Sequence, residues 1–254
     1  MHVASGALIA ILVLAIIHAG AGVVRRIPGS IRPRVASAAA GVSVAYIFLE
    51  LLPSLTERQG VIAGSGLLPG IERHVYMAAL LGLVIAFWVE TASRKSRRRS
   101  IDTGSGATTD VRTFWLSISG FAVFNASVGY AIADPYDPAV TPFWIFVIAM
   151  GLHFLANDES LVENHGFRYE RAGRWILVGS LVFGWFLGAL PRFELSEPAM
   201  ALVLSYIAGG TIMNIIRHEL PQTERESDVL AFALGVVVYG VIVIAFAPVA
   251  VTVG

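Results

Sequence analysis

The chain has 254 residues, 56% of them hydrophobic and 14% charged, with eighteen basic residues balanced by eighteen acidic ones and no cysteine. Net neutrality leaves no overall field to draw nucleic acid, and without thiols any metal ligand has to be imidazole, carboxylate or amide. Apolar runs too long and too many for a soluble domain define an all-α, polytopic membrane protein.

Eight apolar segments follow one another, over residues 3–24, 35–52, 75–92, 113–133, 141–156, 175–190, 199–216 and 229–251. Each is close to or above the minimum of about 17 residues for a helical span. The first has no basic region ahead of it and is expected to span the bilayer rather than be cleaved as a signal peptide. The whole chain, 1–254, therefore reads as one transmembrane domain of eight helices. Within the first segment His18 opens His-Ala-Gly-Ala-Gly, where small residues permit close helix packing; packing and a proton or metal relay are both open to it.

Orientation follows from the basic residues. Arg25, Arg26, Arg32 and Arg34 follow the first segment, and Arg94, Lys95, Arg97, Arg98, Arg99 and Arg112 follow the third. Arg168, Arg171 and Arg174 follow the fifth, and Arg217 and Arg225 the seventh. The opposite loops hold Arg58, Arg73 and Arg192. The positive-inside rule then places both termini outside the cytoplasm, in a membrane of the bacterial inner or plasma type. The loop over 93–112 opens on the basic cluster and runs into Gly, Ser and Thr, a composition expected of a flexible cytoplasmic loop. Its basic run serves as an orientation signal or as a lipid-binding patch.

Polar groups appear abruptly inside the fourth and fifth segments. His153 and Asn157 are four residues apart and stack on one helical face, with Met150 a turn away. Asn125 lies as far from the start of its segment as His153 does from its own. Both are expected about 18 Å deep in a hydrocarbon core about 30 Å thick. Polar groups at that depth face protein or a water-filled cavity, so this pair is the leading site. Asn125 and Asn157 are equally readable as polar glue between helices. Asp158, Glu159 and Glu163 continue the fifth helix toward the cytoplasm, as an acidic exit or as a charged helix end.

Residues 41–53 of the second segment align with residues 209–221 of the seventh, both ending in Leu-Pro, and Glu50 falls opposite His218. The seventh comes five segments after the second, an odd step, so the two copies cross the membrane in opposite directions, as in an inverted-topology repeat. Glu50 reads as an entrance group or an acid at the interface; His218 and Glu219 read as part of a path or as a solvated helix end.

In this layout the chain resembles the ZIP family of divalent-metal transporters, whose second and seventh spans end in a Leu-Pro-acid pattern like Glu50-Leu-Leu-Pro53 and His218-Glu-Leu-Pro221. The resemblance implies eight spans in a 3+2+3 inverted-repeat bundle with both termini outside. The family's fourth-span His-Asn-x-x-Asp-Gly corresponds here to Phe124-Asn-Ala-Ser-Val-Gly129, which keeps the Asn and Gly. Its fifth-span His-Glu-x-Pro-His-Glu corresponds to a stretch that keeps only His153, and Asn157 stands where an Asp is expected. The function implied is transport of a divalent cation of the zinc, iron or manganese class through a midplane site. His153, Asn125, Asn157 and Asp158 are then the candidate metal groups, and Glu50, His18, Met150, His218 and Glu219 the candidate path. The missing carboxylates support the alternative, a ZIP-like membrane protein that carries another small solute or serves as an interaction protein.

No nucleophile with a base and an orienting group is evident, so no enzyme is expected, and no cofactor beyond the metal as substrate. Membrane lipid is the expected partner. Small-residue faces such as Gly184 and Gly188 suit helix association within one chain or in a homodimer.

Overall fold

The computed structural model describes residues 2–21, 31–65, 73–133, 143–219 and 228–246. All regular structure among them is helical: α1 (His2–Ala19), α2 (Arg32–Tyr46), α3 (Leu52–Ser65), α4 (His74–Asp102), α5 (Val111–Ala133), α6 (Phe143–His165), α7 (Arg174–Gly188), α8 (Glu197–Asn214) and α9 (Val229–Phe246). Three π-helical turns interrupt them: π1 (Ile47–Leu51) between α2 and α3, π2 (Tyr169–Gly173) ahead of α7, and π3 (Ile215–Glu219) after α8. Stretches over 37–63, 74–102, 111–133, 143–165 and 197–217 are long and apolar enough to cross a bilayer, and two shorter apolar helices lie at 6–19 and 229–245. Helices suit that solvent because every backbone group between their ends is satisfied within the element. Large apolar side chains such as Leu80, Trp88, Leu230 and Ile244 point outward, as a lipid-facing surface requires.

Glycine pairs seal three helix contacts. A Cβ on Gly82 would meet the Tyr206 carbonyl at 2.2 Å, and one on Gly209 the Ala79 carbonyl at 1.7 Å, which closes α4 on α8. Gly41 and Gly235 do the same for α2 and α9, against the carbonyls of Phe232 and Ala38. Gly129 and Gly184 do it for α5 and α7, against Leu181 and Ala126. Only glycine permits backbones to approach so closely, and the dispersion gained replaces a hydrophobic drive that lipid does not supply. Each pair runs parallel: Ser37 meets Asp228 and Tyr46 meets Tyr239, Gly82 meets Tyr206 and Phe87 meets Arg217, Ala126 meets Gly184 and Tyr130 meets Gly188. Between the pairs, α6 is well enclosed, touching α1, α2, α4, α8, π2 and π3.

The 93–112 stretch differs from the expected flexible loop. Its basic half is the last turns of α4, which continues to Asp102 because Arg, Lys and Ser carry the helix on and cations suit a C-terminus. The remainder is tied down. Ser96 Oγ donates to Asp110 Oδ2 at 2.6 Å, and the Asp110 N–H donates back to Ser96 Oγ at 2.9 Å. The Thr109 N–H donates to the Asn164 carbonyl at 2.9 Å, and Arg168 to the Thr109 carbonyl at 2.6 Å. Asp110 also caps α5 by accepting from the Thr113 N–H at 2.9 Å. These bonds to Ser96 and Thr113 hold its carboxyl down at about 2.

Candidate functional site

Two buried polar clusters lie around α6. In the first, α1 delivers His18 between α5 and α6. Its Nδ1 is 2.8 Å from Asp158 Oδ1 and its Nε2 is 2.7 Å from Asn125 Oδ1. The Asn125 amide is fixed the other way round, because its Nδ2 donates to the Phe121 carbonyl at 2.8 Å. Both ring nitrogens of His18 thus face acceptors, and a ring carrying two N–H donors satisfies both. The Tyr169 hydroxyl donates to the same Asp158 oxygen, while Asp158 Oδ2 has no hydrogen-bond partner. The Phe154 ring covers His18 at 4.4 Å between centroids.

The second cluster centres on His153. Its Nε2 lies 2.9 Å from Asn157 Nδ2 and its Nδ1 lies 3.1 Å from Asn214 Nδ2. A neutral imidazole offers one donor and one acceptor, so it cannot accept from two amides. With the Asn157 amide turned by a half-rotation, its otherwise unpartnered Oδ1 accepts from the ring and Asn214 donates to it, and both bonds are made. The Phe124 ring tilts against His153 at 5.1 Å.

A cavity of about 40 Å³ opens beside this second cluster, lined by α4, α5, α6 and α8. His153, Asn157, Asn214 and Tyr206 are the neutral polar residues in its wall, and Glu90 and Arg217 the charged ones. It has room for about three water molecules. Glycines at 82, 120 and 210 form part of its wall, so the helices meet closely there and leave the space to the polar side chains. Glu90 is buried and accepts from Arg94 Nε at 2.5 Å, one turn along α4. The Arg217 guanidinium lies over the Phe87 ring at 5.2 Å.

The structure divides the expected site. His153 and Asn157 come together at the cavity, but Asn125 turns to His18 and does not line it. Equal depth does not fix the direction in which a side chain leaves its helix. Asp158 follows Asn157 and points about 100° further round α6, so it belongs to the His18 cluster. Met150 is buried in the apolar core and is not part of the cavity wall. Glu50 is buried within π1. His218 and Glu219 fall in π3, and their side chains lie outside the described residues.

Glu90, Asn214 and Tyr169 complete the two clusters and were not singled out from the sequence. The signal was present for two of them: Glu90 is an acid within the third apolar segment, and Asn214 an amide within the seventh. Tyr169 gave none, because its role depends on π2 swinging it back onto α6.

Chemically, the His153 cluster can hold a small polar solute or a cation through neutral donors, with one carboxylate nearby. Among the described residues, no group of three or more His, Cys, Asp or Glu side chains is placed to hold a metal ion. Comparison with protein-family models, with curated proteins and with solved structures returned no match.

Proposed function

We propose that this chain is an integral membrane transporter with a ZIP-like, eight-span inverted-repeat layout, moving a divalent cation past His153. The observation that carries the reading is a repeated interval. Gly41 and Gly209 stand 168 residues apart, and the same interval separates Ile47 from Ile215 and Leu51 from Glu219, the bounds of π1 and π3. The alignment of the second and seventh segments thus superimposes a helix-sealing glycine on a helix-sealing glycine and a π turn on a π turn. Exchanging those two spans also carries the close contact of Gly41 with α9 onto the close contact of Gly209 with α4, as expected of an inverted repeat. Such repeats support alternating access to a site between them, which is where the cavity lies.

For substrate, His153 supplies imidazole, Asn157 and Asn214 supply amide groups, and Glu90 supplies a carboxylate. This set suits loose binding of a divalent ion that keeps part of its water. The second reading, a ZIP-like membrane protein for another small solute, has one observation in its favour: Arg217 shares the cavity wall and disfavours a dication.

Uptake of zinc and manganese into proteoliposomes tests the proposal. Wild type should exceed protein-free vesicles, His153→Ala should lower uptake severalfold, and Asn157→Asp should tighten binding by adding a carboxylate. Uptake by wild type no greater than by empty vesicles would reject metal transport in favour of the second reading.

A further inference from the structure

One face of α4 carries two kinds of exposed surface in succession. Met77, Leu80, Leu81, Val84 and Trp88 are exposed and, at about 100° per residue, fall within an arc of about 100° around the helix. Lys95, Arg98 and Arg99 are exposed within that same arc, so an apolar stripe runs straight into a row of three cations. From Val75 to Arg94 the helix rises about 30 Å, the thickness of a hydrocarbon core. The three cations then stand between the edge of that core and about 8 Å beyond it, where lipid headgroups lie. The other sides of this helix end are braced. Ser96 bonds to Asp110, while Arg97 Nε donates to the Ala107 carbonyl at 3.0 Å and Arg97 Nη1 meets Glu163 Oε1 at 3.0 Å. Arg94 is engaged with Glu90. The side chains of Lys95, Arg98 and Arg99 pair with no described residue.

We propose that Lys95, Arg98 and Arg99 form a docking site for the headgroup of an anionic phospholipid whose acyl chains lie along Leu80, Leu81, Val84 and Trp88. Charge complementarity names the occupant, because three cations at headgroup depth meet a layer whose phosphodiesters they can neutralise. A zwitterionic lipid brings an ammonium of its own, which cancels part of that attraction. An orientation signal needs only positive charge near the membrane and no common face. Here the cations are held in register by a helix whose other sides are already bonded, so lining them up for a ligand costs little ordering of the chain. Asp102, also exposed and on the same arc a turn further on, opposes the three and weakens the site. The site depends on α4 crossing the membrane and not on what the cavity carries.

Lipid-specific quenching beside the cations tests this. The chain has no cysteine, so Ala92→Cys places a single bimane at a half-exposed position one turn before Lys95. The labelled whole chain would be reconstituted in phosphatidylcholine vesicles. Phosphatidylglycerol and phosphatidylcholine, each carrying a nitroxide near the headgroup end of one acyl chain, would then be compared as quenchers. In the parent protein phosphatidylglycerol should reach half-quenching at about one fifth of the mole fraction of phosphatidylcholine or less, since each cation near an anionic surface is worth about fivefold. Replacing all three cations, as Lys95→Gln/Arg98→Gln/Arg99→Gln, should bring the two lipids to parity. Arg98→Lys/Arg99→Lys keeps the charge and should keep the preference, which separates charge from folding. Asp102→Asn should widen the preference and high salt should narrow it. Quenching by phosphatidylcholine should stay the same in every variant, because the helix end remains in the membrane. Equal quenching by the two lipids in the parent protein, or a preference that survives loss of all three cations, overturns the site.

Discussion

Removing His18 should be among the most damaging single changes available to this chain. The ring and the Asp158 carboxyl are both essentially inaccessible, at 0% and 1% exposure, and they meet at 2.8 Å. His18→Ala leaves Asp158 with the Tyr169 hydroxyl on one oxygen and nothing on the other, and strips Asn125 Oδ1 of its donor. Breaking a buried pair from one side costs about 3–5 kcal/mol, most of it the penalty of the charge left behind. Deleting both partners, as His18→Leu with Asp158→Leu, removes that charge and should cost less than the two single changes together by about 1–3 kcal/mol. Unfolding in mixed micelles with rising SDS, followed by tryptophan fluorescence, gives these differences directly. Single variants within 1 kcal/mol of wild type, or a double variant equal to the sum, would refute the buried-pair argument.

Two further outcomes follow from local geometry. In Gly209→Ala the new Cβ starts 1.7 Å from the Ala79 carbonyl oxygen, so α8 must retreat by about 1.6 Å to reach an ordinary carbon–oxygen separation. The same SDS titration should show a loss of about 1–3 kcal/mol, against little change or a slight gain for Gly60→Ala, whose Cβ meets nothing within 4 Å. Asp110 caps α5 with its carboxyl held at about 2, below the usual 3.8, so its contribution is complete above about pH 4 and fades as pH falls toward 2. Asp110→Ala should therefore lower stability by about 1 kcal/mol at neutral pH and converge on wild type at pH 2, as read by thermal unfolding at the two pH values.

Much of the helical plan was legible because apolar length is a property of the sequence itself. A faint match between residues 41–53 and 209–221 was legible too, and a π turn falls at the same place in each stretch, at 47–51 and 215–219. The partnerships within the site were not legible. Asn125 and His153 have matching depth, yet His18, more than a hundred residues away in sequence, takes the place that a helix-to-helix contact between them would need. Helix periodicity gives the angle between residues on one helix and says nothing about which neighbour lies at that angle. The end of α4 was misjudged for a different reason: a run of Arg and Ser has the composition of a linker, but Arg is a good helix former and Glu90 pairs with Arg94 one turn on.

The π turns also alter how one crossing segment shares itself among neighbours. An uninterrupted α-helix keeps a single phase, so a stripe that addresses one partner drifts little along its length. Each extra residue rotates everything beyond it by about 100°. In the second span, the half before the turn presents Gly41 to α9, while the half after it lies against α4 and α8. One continuous rod thereby behaves as two short ones with separate allegiances, joined at a point where the backbone can take up or give back a single residue of twist.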